Sequence, residues 1–270
     1  MGDLDAADLL ALYDAQLRAD VPDPLPEGLR IERDGPVVRY LSSSHGGGIG
    51  YRDLGGIDGA ELDELIARQV RVFADRGEEF EWKLHGHDQP TDLPERLIAQ
   101  GFVPEDLETV VIAPVAAVAG DVLLPESVTL REVSGRADLD RIGALEEAIW
   151  HDDRAGWLAD SLEAEQVVDP HAITIVVAES AGEFVCAGWA RFPKGTEFAT
   201  FWGGGTLLGW RRRGIYRALV TYRANLAAER GSRYLQVDAS SESRPILERL
   251  GFIAVTTTTP FIWTPPAELR

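Results

Sequence analysis

The sequence predicts an α/β (α+β) protein of two related domains. Three observations predict it. At 270 residues the chain suits one large domain or two ordinary ones. Strand-like and helix-like patterns alternate along most of its length. A stretch also repeats itself. Ala74-Asp75-Arg76-Gly77 matches Ala228-Glu229-Arg230-Gly231 at an offset of 154, and Phe80 matches Tyr234 at the same offset. Each copy then runs through strand, turn and short helix to a Gly-Phe pair, at Gly101-Phe102 and Gly251-Phe252. A glycine triplet precedes the long helix in both copies, at 46–48 and 203–205, and four matches in order point to two related domains.

The elements follow in order. Residues 3–19 read as a helix with Leu10, Tyr13 and Leu17 on one face. The proline-rich VPDPLPEG breaks that pattern. LRIERD and VVRYLSS are strand-like, and HGGGIGY follows. Residues 59–76 carry Leu62, Leu65, Ile66, Val70 and Phe73 at the spacing of a buried helical stripe, with Gly77 as C-cap. EFEWKLHG alternates Phe80, Trp82 and Leu84 on one strand face. LPERLIAQ is a short helix closed by Gly101. Small, weakly patterned residues at 113–126 suggest a linker, which divides the chain into domains at 1–115 and 128–270 with 116–127 between them. After it come a strand (VTLREV), two helices, three strands, a helix over 213–230, a strand (SRYLQVDA), a helix (RPILERL) and a terminal strand pair.

Composition narrows the function. Asp and Glu number 45 against 26 Lys and Arg, a net charge of −19, so a basic nucleic-acid face is not expected; the excess reads first as a solvated acidic surface, and it also eases the approach of a cationic acceptor such as an amine. Cys186 is the single cysteine, which excludes an intramolecular disulfide and a cysteine-built zinc site. No apolar run is long enough for a membrane helix and the N-terminus lacks a secretory pattern, so a cytoplasmic protein is expected. His85-Gly86-His87-Asp88 has ligand-type residues without a further partner at metal spacing, and no metal is expected. The glycines at 46–50 and 55–56 do not complete a dinucleotide fingerprint.

The richest stretch is FWGGGTLLGWRRRGIYRALV, a strand that turns through a basic loop into a helix. Helix-start N–H groups are unpaired and carry partial positive charge, so such a loop suits a pyrophosphate. Arg211, Arg212 and Arg213 add cations at the same end, where they are unfavourable for the helix alone. A glycine triplet inside a strand marks a bulge or a close backbone approach.

The loop Arg211-Arg212-Arg213-Gly214-Ile215-Tyr216 resembles the R/Q-x-x-G-x-G/A acyl-CoA motif of the GNAT superfamily, the GCN5-related N-acetyltransferases. SSESRPILERLGF is similar to the family's second motif, and the element order over 128–263 fits as well. The resemblance implies two GNAT-like domains, each a mixed, mostly antiparallel central sheet flanked by helices, the first degenerate. It implies acetyl-CoA as co-substrate and a small amine as acceptor, attacking the thioester directly with strand N–H groups stabilising the oxyanion. It places the pantetheine arm along Thr206, Leu207 and Leu208 and the pyrophosphate at Arg211 to Tyr216, with Ser240 at the family's Asn. Partners would be the acyl-CoA and the amine, without nucleic acid or membrane, and a homodimer is compatible.

The sequence departs from that pattern at Ser240, which stands at the family's Asn, and in three further places. Tyr216 stands where Gly or Ala is preferred, so its side chain is expected to point away from the phosphates. Leu247 stands where many members place a tyrosine that protonates the leaving thiolate, and Thr200 where many place an activating carboxylate. His151, oriented by Asp152, and Asp238 are the candidate bases by chain position, each also readable as a turn or capping residue. An acyl-CoA-binding module without turnover is therefore the alternative function. The first copy carries DLGGIDG in place of the arginine loop, and Asp58 would repel a pyrophosphate, so one CoA site is expected rather than two.

Overall fold

A computed structural model describes residues 4–18, 21, 24–25, 27–42, 46–151 and 155–266. The elements in chain order are α1 (Ala6–Gln16), β1 (Leu29–Asp34), β2 (Val37–Ser42), β3 (Gly47–Gly50), α2 (Gly59–Arg76), β4 (Phe80–His85), α3 (Leu93–Ala99), β5 (Val103–Pro104) and β6 (Glu108–Pro114). They continue with α4 (Val115–Val118), β7 (Thr129–Val133), α5 (Arg136–Trp150), α6 (Ala155–Val168), β8 (Ile173–Ser180), β9 (Glu183–Arg191) and β10 (Phe198–Thr206). A 3-10 turn at Leu208–Trp210 leads to α7 (Ile215–Glu229), β11 (Tyr234–Ala239), α8 (Arg244–Arg249) and β12 (Ile253–Trp263).

The chain forms two compact units. Unit 1 comprises Met1–Val21, Gly28–Val110 and Val255–Arg270, and unit 2 comprises Pro22–Glu27 and Val111–Ala254. This differs from the division read from the sequence in two ways. The C-terminal residues join unit 1 because β12 is one continuous strand rather than a pair, and its second half pairs antiparallel with β4 from Thr258↔His85 to Trp263↔Phe80. The small residues after 113 are not a free linker. Val115 and Val118 form a helical turn buried in the core of unit 2.

Within unit 1 the strands lie in the order β1-β2-β3-β4-β12, with β5 on β12. Only the β3–β4 pair is parallel among the neighbours whose register is resolved there. α2 spans 59–76 as its spacing predicts, and Leu62, Leu65, Ile66 and Phe73 are buried. Val70 is half-buried, and Gln69 takes the buried place, donating to the Asp34 carboxylate at 2.9 Å. Asp34 also accepts from Arg39 and Arg68. The stacked rings of Phe73 and Phe80, with Trp82 and Phe102, make the core. α1 begins at Asp5, whose carboxylate caps the N–H groups of Ala7 and Asp8, and it buries Leu9 and Tyr13 rather than Leu10.

Unit 2 has the order β6-β11-β10-β9-β8-β7. Its β8, β9 and β10 form an antiparallel meander, and β10 is parallel to β11. One face of this sheet packs on α7 and α8 through Ala199, Phe201, Leu235, Val237 and Leu247. α5 and α6 pack through Leu139, Ile142 and Leu162 on Ile175, Val177 and Trp189.

Candidate functional site

The site is built where β10 leaves β11. The two strands pair only from Phe198↔Tyr234 to Thr200↔Gln236, yet β10 runs on to Thr206 and β11 to Ala239. The departure coincides with a bulge. β10 pairs Gly203 with Gly188 and then Gly205 with Ala187, so Gly204 is the extra residue. Gly203 and Gly204 have φ of +64° and +92°, a region that side chains beyond glycine avoid. Space forbids a side chain as well. A Cβ on Gly203 would lie 2.5 Å from the Trp189 ring, and one on Gly204 2.6 Å from the Tyr216 ring. The glycine triplet therefore does what the sequence predicts of it.

Arg223, which sequence reasoning missed, holds the bulge from beneath. It is fully buried on the core face of α7. Its Nη1 donates to the carbonyls of Trp189 and Trp202, both at 3.0 Å, and its Nε to Leu219. Its guanidinium lies over the Phe201 ring. Burial pulls its pKa down to about 10, so the group is still a cation at neutral pH. An arginine at a position that helical spacing assigns to the core was the available signal.

The basic loop closes the site. Gly214 is the N-cap of α7, and no side chain caps the helix there. No acidic residue lies in its first turn. Arg212 and Gly214 both have left-handed backbones, φ +62° and +84°, which curls the loop in front of the helix start. Arg211 is held in place, its Nε donating to the Thr206 carbonyl at 3.0 Å and its Nη1 to Glu242 at 3.3 Å. Arg213 lies over the Trp210 ring, and Arg212 and Arg213 are exposed.

The remaining expected site residues fall as follows. Leu207 donates its N–H to the Val185 carbonyl, so this N–H and the Thr206 carbonyl are already engaged within the protein. The Thr206 hydroxyl donates to buried Cys186, whose thiol burial pushes up to about 12. Leu208 is largely exposed. Ile215 is buried in the core. Tyr216 turns inward onto Gly204, and burial raises its phenol pKa. Ser240 accepts from the Ser243 N–H in the turn before α8.

Asp238 lies on the part of β11 beyond its pairing with β10 and accepts from Gln236 Nε2 at 2.7 Å. His151 caps the C-terminus of α5 with φ +60° and is exposed, and Asp152 lies outside the described residues. Thr200 and Leu247 are buried, and the Thr200 hydroxyl accepts from Trp202 Nε1. The structure adds one carboxylate that the sequence did not single out. Glu146 on α5 reaches the bulge, its Oε1 3.0 Å from where a Gly205 Cβ would stand, and it accepts from Trp150.

No family model matches this sequence, and no curated protein matches it. Solved structures do. A GCN5-related N-acetyltransferase from Kribbella flavida is 17% identical with a TM-score of 0.64, the match covering 98% of this chain and 95% of that one. A tandem GNAT protein from the clavulanic acid biosynthesis pathway is 13% identical with a TM-score of 0.63, covering 97% and 94%. A GCN5-related N-acetyltransferase from Sphaerobacter thermophilus is 17% identical with a TM-score of 0.60, covering 89% and 84%. The bulged and diverging β10, the arginine loop and these likenesses agree: the chain has the fold of the GCN5-related N-acetyltransferases.

Proposed function

We propose that unit 2 is an acyltransferase that moves an acyl group, acetyl by preference, from acyl-CoA to a small amine. One observation carries this reading: an uncapped, cationic helix start stands directly after a strand that diverges from its parallel neighbour. The thioester supplies an activated acyl carbon and a thiol leaving group. Arg211, Arg212 and Arg213 with the first N–H groups of α7 hold the diphosphate. The divergence of β10 from β11 admits the pantetheine arm, and the buried Arg223 keeps the bulged strand in shape.

For transfer, the amine nitrogen bonds to the acyl carbon as the carbon–sulfur bond breaks. The amine loses a proton and the sulfur gains one. Asp238 is the group we assign to remove the amine proton, because it lies on β11 beyond that strand's pairing with β10, and His151 is the second candidate.

The engaged Thr200 hydroxyl and the apolar Leu247 favour a second reading, binding of acyl-CoA without turnover. One experiment separates the two: CoA-thiol release from acetyl-CoA with a panel of amines, beside calorimetric binding of CoA. Thiol release together with one CoA bound per chain supports transfer. Binding without release supports the second reading.

The double variant Arg211→Ala/Arg213→Ala is expected to weaken CoA binding by roughly a hundredfold or more, because each of the two charged contacts is worth roughly 1.5–3 kcal/mol. Unchanged affinity removes the CoA assignment. Loss of a general base typically costs about 10²–10⁴-fold in rate, so Asp238→Asn should lower turnover on that scale while CoA affinity holds.

A further inference from the structure

Unit 1 contains a cavity of about 540 Å³. It is lined by Ala11 and Asp14 of α1, by Arg18 in the turn after that helix, by residues 51–58 after β3, and by residues 87–90 after β4. It therefore lies beyond the carboxyl ends of the parallel pair β3 and β4. Its size suits a small molecule.

Arg18 is the unusual group. Its side chain is 2% exposed. Nη1 is engaged, 2.8 Å from Asp88 and 3.3 Å from His87 Nε2. Nε and Nη2 are buried and have no hydrogen-bond partner among the described residues. These two nitrogens form one edge of the guanidinium, the fork that takes a carboxylate through two parallel bonds. Leaving a buried charged donor without a partner is costly, and natural proteins seldom do so without a reason.

The surroundings select the ligand further. The other charged groups of the lining are Asp14, Arg52, Asp53, Asp58 and Asp88, and His87 lies among them. Asp88 is committed to Arg18 and to the Tyr51 hydroxyl. Asp53 accepts from the Gly55 N–H, and Asp14 from His87 at 3.0 Å. Asp58, the N-cap of α2, makes no side-chain capping bond. With four carboxylates against two arginines the lining opposes a dianion such as phosphate. It accepts a single carboxylate on the fork if a positive group of the same molecule meets the acids.

We propose that this cavity binds a small zwitterion of the amino-acid type, with its carboxylate on the Nε/Nη2 edge of Arg18 and its ammonium among Asp14, Asp53 and Asp58. The inference goes beyond the transfer reading and does not rest on it.

The test is calorimetry and saturation-transfer NMR on the full chain. The probes are the twenty standard amino acids, the amide and the N-acetyl derivative of each, and inorganic phosphate. At least one amino acid is expected to bind, with its amide and N-acetyl forms weaker by about tenfold or more. Arg18→Lys keeps the charge and removes the fork, and should weaken binding by about tenfold. Because Arg18 is buried, the exposed-loop variant Asp53→Asn/Asp58→Asn provides a second arm. It should stay folded, with only the small loss of stability expected at the α2 start, and lose affinity several-fold. The proposal is overturned if no amino acid binds, if phosphate occupies the site instead, or if both variants bind like the wild type. CoA titration of unit 2 is read separately, so failure of either reading leaves the other standing.

Discussion

Two strand–loop–helix segments of this molecule begin alike and end differently. In unit 1, β3 pairs with β4 from Gly47↔Phe80 to Ile49↔Trp82, and in unit 2, β10 pairs with β11 from Phe198↔Tyr234 to Thr200↔Gln236. Each parallel contact is three residues long, and each first strand then leads to a long helix. Beyond that the two part. β3 stops at Gly50 and α2 starts at Gly59 behind an aspartate N-cap, with Glu61 in its first turn. β10 continues six residues past Thr200, bulges, and delivers three arginines to a helix with a glycine N-cap and no acid in its first turn. A helix N-terminus stabilised by its own aspartate has little need of an external anion, whereas one faced by arginines gains from one. The same scaffold thus supports opposite local charge, and the loop between strand and helix decides which.

The glycines offer the sharpest way to break this comparison. Gly204→Ala would place a methyl 2.6 Å from the Tyr216 ring on a left-handed backbone. The expected loss in unit 2 is roughly 2–5 kcal/mol from backbone strain and overpacking together. Gly48→Ala, in the other triplet, meets nothing nearer than the Glu81 carbonyl at 3.8 Å and should cost less than about 1 kcal/mol. Thermal melts of the two variants check the contrast, and equal losses would mean that the bulge does not constrain Gly204.

Acid should separate the units next. Burial holds His85 of unit 1 neutral, with its pKa pulled down to about 3. The unfolded chain takes up that proton below about pH 6.5 and the native one does not, so stability falls as pH drops from 6.5 towards 3. At pH 4.5 the loss is roughly 2–3 kcal/mol. Asp34, held near 2 by Arg68, Gln69 and Arg39, adds its own loss only below about pH 4. Carboxylates of unit 2 are lowered too, at Asp138 and Asp169, so the contrast rests on the histidine. Hydrogen exchange at pH 7 and 4.5 should show β4 losing more protection than β9, and equal losses would remove the distinction.

The smallest effects are charge changes at the two helix starts. Asp58→Asn is expected to destabilise unit 1 by about 0.3–1 kcal/mol, and Arg213→Glu to stabilise unit 2 by a similar amount while weakening CoA binding. Denaturant titration beside CoA calorimetry reads both. Movement of stability and affinity in the same direction would contradict the role assigned to the arginine loop.

Much of this was legible in the chain because it is local. The 3.6-residue spacing defined α2, and Gly77 closes it in the left-handed region at φ +66°. The glycine triplet at 203–205 announced the bulge, and RRRG announced a cationic start to α7. Other features depend on partners far away in sequence. The Phe80/Tyr234 match is real in register, but Gly46–Gly48 sits at the start of its strand whereas Gly203–Gly205 lies beyond the pairing, so the triplets are not equivalent. Glu146 and Arg18 looked like ordinary helix residues, because only the packed neighbours distinguish a buried charge from a solvated one, whereas the core-facing spacing of Arg223 on α7 could have singled it out. The turn at 115–118 read as a linker because its valines gain their meaning from the core they enter.

The return of β12 to unit 1 has a consequence for biosynthesis. A ribosome delivers residues 111–254, the main body of unit 2, before it delivers the strand that pairs with β4. The later half of the protein can therefore close first, while β4 waits with an open edge and with Phe261 and Trp263 missing from its core. A nascent chain stalled before residue 258 should present that edge to chaperones and to other stalled copies, and release of the last strand should remove the exposure.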